Sequence, residues 1–155
     1  MKIFILIKES DHYINLFVPE LCSRLVQMGN HVSIGTSLFW QDDVFEFDVV
    51  HIHWPEHIFK EKVDEYKINL LRNRLIDIKS KNIPIIVQCH NLEPHNGDPI
   101  KIELYHVVYG WATAIVHMGL YSKNMLMKKY PGATHVIIPH HIYDYTHHIA
   151  RSEER

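Results

Sequence analysis

The sequence predicts a single doubly wound α/β domain around one mainly parallel sheet, a Rossmann-like arrangement. Three observations carry that expectation. Six apolar runs of strand length lack the in-out alternation of a half-exposed strand, as do strands buried on both faces. Segments with helical spacing separate them and supply the crossovers that parallel strands need. The length, 155 residues with 46% apolar and 22% charged, suits one core and leaves no room for a second full domain.

The first run, KIFILI at Lys2–Ile7, ends at the charged pair Lys8-Glu9. Apolar residues then recur at Ile14, Phe17, Val18, Leu21, Leu25 and Met28, one helical stripe, and Gly29 stands where a helix ends. His31–Gly35 is the second strand and Phe47–His53 the third. In the long charged segment that follows, Ile68, Leu71, Leu75 and Ile78 line one helical face, and its many Lys and Arg residues read as the solvated side. Ile83–Cys89 is the fourth strand. Asp98 and Pro99 follow as a cap and first helical residue, with Leu104, Val107, Val108 and Trp111 behind them. Thr113–His117 is the fifth strand, Ser122 caps a short helix to Tyr130, Pro131-Gly132 stops it, and His135–Pro139 is the sixth strand. After Tyr143 the chain turns polar and loses its period, so residues 1–143 are expected to form the domain and 144–155 a tail or the start of a linker.

Composition removes several function classes. A formal charge of −2 offers none of the clustered Lys and Arg on which phosphate-backbone binding relies, so no nucleic-acid partner is expected. Cys22 and Cys89 lie far apart among apolar residues and read as small buried hydrophobes, not a disulfide framework. The opening MKIFILIKES is too short and too quickly charged for a signal-peptide core or a membrane span, so a cytoplasmic chain is expected. No glycine lies between Ile7 and Gly29, which disfavours a dinucleotide fingerprint, and neither a GxxxxGK[ST] loop nor a GxSxG elbow occurs.

Histidine is the distinctive feature, with fourteen in the chain. In open parallel sheets ligands bind beyond the carboxyl ends of the strands. His51, His53, His57, His90, His95, His117, His140 and His141 all fall at or just after predicted strand ends, which marks one edge as a functional cleft. A metal reading would use His51, His53 and His57 or His90, but their spacing matches no HExxH helix or Cys/His finger, and Glu56 and Glu93 are the only near carboxylates. No metal is expected.

Five stretches resemble the amino-terminal domain of GT-B fold glycosyltransferases of the large retaining group called family 4: SDHYINL (10–16), DVVHIHWPE (48–56), CHNLEPH (89–95), IVHMGLYS (115–122) and YPGATHVIIPHHIY (130–143). They occur in the family's order and span nearly the whole chain. The resemblance implies half of a GT-B fold, a Rossmann-like domain that binds the sugar acceptor. It faces a second domain, on a longer chain or a separate donor subunit, that holds a nucleotide-sugar donor. No tightly bound cofactor is implied. The product would be a glycan or glycolipid, as in polysaccharide biosynthesis.

By the same resemblance His90 is the catalytic histidine, donating a hydrogen bond or, when protonated, offsetting charge on the leaving diphosphate. Asn91 would orient its loop, and Glu93 and His95 would meet acceptor hydroxyls. His53, Trp54 and Glu56 match the acceptor loop after the third strand, where an aromatic face and a carboxylate suit a polyhydroxylated ligand. Tyr13 and Asn15 match the first turn; His117, Gly119, His140 and Tyr143 match positions lining the interdomain cleft. The chain departs from the pattern at Asp11-His12, where relatives have a more turn-like pair and often glycines. It departs again at Thr113, where an Asp is common, read as a change of cap. Two other readings remain: a stand-alone sugar- or partner-binding module without turnover, and a metal-dependent hydrolase using His51, His53 and His90. The basic segment Lys60–Lys81 adds peripheral contact with the inner face of an anionic membrane as a further expectation, against which Glu61, Asp64, Glu65 and Asp77 weigh.

Overall fold

A computed structural model of the chain describes residues 1–8 and 16–140. Its strands are β1 (Lys2–Leu6), β2 (His31–Gly35), β3 (Val49–Ile52), β4 (Ile85–Cys89), β5 (Ala114–His117) and β6 (Thr134–Ile137). They form one six-stranded sheet in the order β2-β1-β3-β4-β5-β6, with every neighbouring pair parallel. The helices are α1 (Phe17–Gln27), α2 (Glu65–Ser80), α3 (Pro99–Trp111) and α4 (Leu120–Lys129). The doubly wound α/β architecture read from the sequence is the observed one.

Local chemistry fixes the helix ends. The Asp64 carboxylate accepts from the Lys67 backbone N–H at 2.8 Å to start α2, and Asp98 accepts from the Ile100 N–H at 3.1 Å to start α3, with Pro99 as its first residue. Gly29, at φ +85°, closes the turn after α1 in the left-handed region that favours glycine. Ser122 does not cap α4. Gly119 holds the cap position, and the Ser122 hydroxyl lies in the first turn, 3.2 Å from the Gly119 carbonyl oxygen.

The two faces of the sheet carry separate cores. Phe17 and Val18 of α1 pack on Ile3, Ile5, Ile7 and Val49. On the other face Ile68, Leu71, Leu75 and Ile78 of α2, with Leu104, Tyr105 and Val108 of α3, cover Phe4, Leu6, Val50, Ile52, Ile85 and Val87. Register aligns the strand ends: Leu6 lies opposite Gly35 and Ile52, and Cys89 opposite His117, which in turn lies opposite Ile137. The following loops therefore leave from one edge.

Several expectations need correction. Every strand but the second is shorter than predicted, because Ile7, Phe47, Asp48, His53, Ile83, Pro84, Thr113, Ile138 and Pro139 flank the ladder instead of joining it, and the sixth starts one residue earlier, at Thr134. Two short 3-10 turns, Ser37–Trp40 and Asp42–Glu46, fill the β2–β3 crossover and place Phe39 and Val44 in the core. Cys89 is buried, but Cys22 is only half-buried, and both are free thiols. Burial pushes the Cys22 thiol up to about 11, which leaves it protonated at neutral pH.

The basic face of α2 is not all solvated. Arg74 is buried: its Nε donates to the Phe39 carbonyl at 2.7 Å, its Nη2 donates to the Gln41 carbonyl, and its guanidinium lies 4.7 Å from the Phe45 ring centre. It is the anchor that ties the two 3-10 turns to the helix layer. Hydrogen bonds to a charged donor contribute about 1.5–3 kcal/mol each. Arg74→Leu is therefore expected to lower the free energy of urea unfolding by about 2–4 kcal/mol. Arg72→Leu, which removes only the partly exposed pair with Glu103, should cost under about 1 kcal/mol. Equal losses in the two variants would refute the anchoring role.

Candidate functional site

The strand order reverses at β1. The chain runs outward from β1 to β2, then crosses back to β3 and continues to the other side, with α1 and α2 on opposite faces, which makes the carboxyl edge between β1 and β3 the topological switch point, the place of the ligand crevice in open parallel sheets. His53 and Trp54 leave the end of β3 into this crevice, Phe17 at the start of α1 lines it, and His90 enters from the end of β4. His51 and His53 share the face that carries Val49, and His51 lies opposite Ile5 and Ile86.

These side chains form one packed knot. His53 Nδ1 and His90 Nε2 are 3.1 Å apart, a hydrogen bond between the β3 and β4 loops. The Trp54 indole stacks on the His90 ring at 4.1 Å and 13°. Phe17 meets His53, His90 and His140 with its ring tilted or edge-on, at 5.8, 5.4 and 5.0 Å. His57, buried in the short turn Pro55–His57, accepts from the Lys8 backbone N–H through Nδ1 at 3.3 Å, and its ring lies 5.2 Å from Trp54.

Burial decides the protonation states. It pushes His51 down to about 4 and His90 down to about 3, with His140, His51 and His57 adding repulsion at His90. Burial, then repulsion from His51, His90 and His57, holds His53 well below the usual imidazole range. In the free chain His51, His53 and His90 are thus neutral rings at neutral pH. Of the two ways of acting expected of His90, donating a hydrogen bond or offsetting charge when protonated, this environment favours the first in the free chain.

The tautomers follow from the unpartnered atoms. Among the described residues, His51 Nε2 and His53 Nε2 are buried without a hydrogen-bond partner. A buried N–H without an acceptor is rarer than a bare lone pair. That preference puts the His53 proton on Nδ1, donating to His90 Nε2, and it puts the His90 proton on Nδ1. His53 Nε2 then remains as a desolvated lone pair.

Of the other expected site residues, the structure brings some near the knot and removes others. The Asn91 backbone carbonyl accepts from Tyr109 OH at 2.6 Å, which pins the start of the β4 loop to α3. Glu56 is half-buried and accepts from Tyr105 OH at 2.6 Å, so this carboxylate braces the β3 loop against α3 instead of standing free. Burial and neighbouring acids push both tyrosine hydroxyls up, and they stay protonated donors. Glu93 and His95 are exposed farther along the β4 loop, outside the packed cluster. His140 is exposed and contributes its ring contact with Phe17. Tyr13, Asn15 and Tyr143, with the departure at Asp11-His12 and the histidine His141, lie outside the described residues.

His117 belongs to a different arrangement. It is fully buried and stacks on His135 at 5.2 Å and 16°, with Nε2 2.9 Å from His135 Nδ1 and Nδ1 3.1 Å from Ser122 Oγ. His135 Nε2 donates to the Tyr130 carbonyl at 2.9 Å, which fixes both tautomers. Burial first, then His135 and Lys123, pushes His117 down to about 4. This relay ties β5, β6 and α4 together, and Gly119 serves as the α4 cap beside it. Sequence reading placed His117 in the cleft because a strand end alone does not say which neighbour it faces.

Phe17, which the sequence reading placed only on a helical stripe, and Trp40, which it did not single out, are functional candidates as well. Their signal was position: Phe17 opens the helix after the first strand end, and Trp40 follows the second. Among the described residues no group of three or more His, Cys, Asp or Glu side chains is arranged to hold a metal ion. No helix among the described residues is long and apolar enough to cross a membrane.

The depressed histidines make a stability statement with a definite sign. Their folded affinities for protons lie below the unfolded value near 6.5, so the unfolded chain binds more protons on acidification. Stability is fully present above about pH 6.5 and falls as pH drops towards about 4, where His51 itself begins to charge. A tenfold difference in proton affinity is about 1.4 kcal/mol, so His51 alone accounts for about 3 kcal/mol of that fall. In His51→Leu the curve of unfolding free energy against pH should be shallower over this window, with little loss at pH 7; an unchanged curve would contradict burial of a neutral ring. No protein-family model matches the chain, and no curated protein matches it in sequence.

Proposed function

We propose that the chain is the acceptor-binding domain of a glycosyltransferase of GT-B architecture, probing the acceptor with its β3 and β4 loops while a donor-binding domain presents a nucleotide-sugar. The observation that supports this reading most is the Trp54 ring stacked on His90 across the two loops, at the crevice where the strand order reverses. Sugars offer apolar C–H faces and a ring of hydroxyls, and a rigid aromatic beside a neutral imidazole matches both. The His90 Nδ1–H is the donor left for a ligand once Nε2 accepts from His53. It would be held towards charge developing on the leaving oxygen, where a fixed donor stabilises more in a dry site than in water.

In this reading His53 is a positioning residue, acting through His90, and Glu56 positions the acceptor loop through Tyr105. Asn91 sets the path of the β4 loop. Glu93, His95 and His140 stand at the exposed rim as acceptor contacts. Tyr13, Asn15 and Tyr143 keep only the role that the family resemblance gives them, whereas His117 and Gly119 serve the packing of β5, β6 and α4. The donor domain would come from further chain beyond Arg155 or from a separate subunit. A cytoplasmic site of action at a membrane-bound glycolipid acceptor fits the same chemistry.

The test uses the assembly that contains the donor domain. Sugar transfer by that assembly is expected to fall at least about 100-fold in His90→Ala. In His90→Phe, which keeps the stack on Trp54 and removes the N–H, the loss should be similar with the fold retained, whereas His95→Ala should cost under about threefold. Full transfer by His90→Phe would sink the proposed role. The rival hydrolase has its own signature: protein purified without an affinity tag would carry stoichiometric zinc that His90→Ala loses, and we expect far less than one equivalent.

A further inference from the structure

We propose that the cavity between the turn after β2 and the loop after β3 is a binding subsite for an acidic sugar, a pyranose bearing a carboxylate or phosphate group. The proposal rests on the acceptor-domain reading and names the chemistry of the acceptor. The cavity measures about 390 Å³ and is lined by Thr36, Ser37, Trp40, Gln41, Ile58, Phe59 and Lys60, together with Glu61 and Lys67, which pair with each other. That volume falls within the range of small-ligand sites. It opens beside the same edge of the sheet as the histidine knot, and one loop serves both: Trp54 near its start belongs to the knot, and Phe59 and Lys60 near its end belong to the cavity.

One wall is aromatic and rigid. The Trp40 and Phe59 rings lie 5.1 Å apart at 34°. Trp40 Nε1 donates to the Ile58 carbonyl at 3.1 Å, and the Phe39 ring meets Trp40 at 5.0 Å and 89°. A platform already held by these contacts loses little freedom when a ligand stacks on it. Beside it stand the hydroxyls of Thr36 and Ser37 and the amide of Gln41, a mixture of donors and acceptors suited to sugar hydroxyls.

The charge pattern selects the acid group. Lys67 at the cavity rim is occupied, with its ammonium 3.2 Å from Glu61 Oε2 and 2.7 Å from the Lys62 carbonyl. Lys60 instead donates to the neutral Ser37 hydroxyl at 3.2 Å, and among the described residues no carboxylate lies within ion-pair distance of it. A cation without a counter-charge, next to hydroxyls and an aromatic face, is the complement of a sugar that carries an anion on its ring or exocyclic carbon.

The test is an amide and indole N–H chemical-shift titration of the 155-residue chain with glucuronic acid, glucose 6-phosphate, glucose and inorganic phosphate. Saturable shifts at the Trp40 indole N–H, Ser37 and Lys60 are expected with glucuronic acid, glucose 6-phosphate or both, with millimolar dissociation constants, and at least about tenfold weaker binding of glucose. The acid that binds identifies a carboxylate or a phosphate source. Lys60→Gln, an exposed change that the fold should tolerate, is expected to bring the acid sugars down to the level of glucose; Lys81→Gln, at the carboxyl end of α2 and outside the cavity lining, is not. Equal binding of glucose, or equal shifts with inorganic phosphate alone, would overturn the acidic-sugar subsite. Shifts at Trp54 and His90 with none at Trp40 would overturn it and leave the acceptor reading standing. Silence at both places would count against both.

Discussion

The reversal of strand order at β1 is the constraint on which the carboxyl edge depends. Because α1 and α2 lie on opposite faces of the sheet, the topological switch point falls at the carboxyl ends of β1 and β3. Parallel register then delivers β3 and β4 to that edge together. A hydrogen bond between His53 and His90 becomes available because β3 and β4 run side by side in parallel, with Ile52 opposite Val87, so that both histidines leave their strands at the same edge. The knot is a product of topology before it is a product of histidine content.

Its electrostatic character follows from the same burial. Three buried imidazoles, His51, His53 and His90, would repel one another if charged, and burial keeps them neutral at neutral pH. What results is a site rich in directional hydrogen-bonding groups with little net charge. This suits a polyhydroxylated ligand better than an anion, and it separates the knot chemically from the neighbouring cavity, where Lys60 carries its charge openly. One loop thus joins a neutral subsite to a cationic one.

The fold was legible in the sequence because buried parallel strands announce themselves as unbroken apolar runs; VVHI and IIVQC differ from the predicted segments only in their flanks. Asp98-Pro99 announced a helix start for a reason that is purely local. Arg74 was not legible, since its partners are backbone carbonyls of a 3-10 turn more than thirty residues away. The site was legible as a set of strand ends and not as contacts. His53 and His90 met as their positions implied, but His117 turned to His135, which shares the face of Ile115 one strand over. Knowing that required the β5–β6 register, which no local pattern encodes.

Thr113 shows what the opposite edge of the sheet does. Its hydroxyl oxygen accepts from the Ile85 N–H at 3.0 Å and from Lys79 at 2.9 Å, its own N–H donates to the Ile85 carbonyl at 2.7 Å, and its carbonyl accepts from Thr134 at 3.0 Å. One small residue therefore rivets three strands and a helix at the amino ends. With that margin clamped, the loops at the other margin are free to diverge in length and composition without disturbing the frame. A lineage built on this scaffold would be expected to vary its specificity loops widely while holding its hinge-side stitching nearly constant.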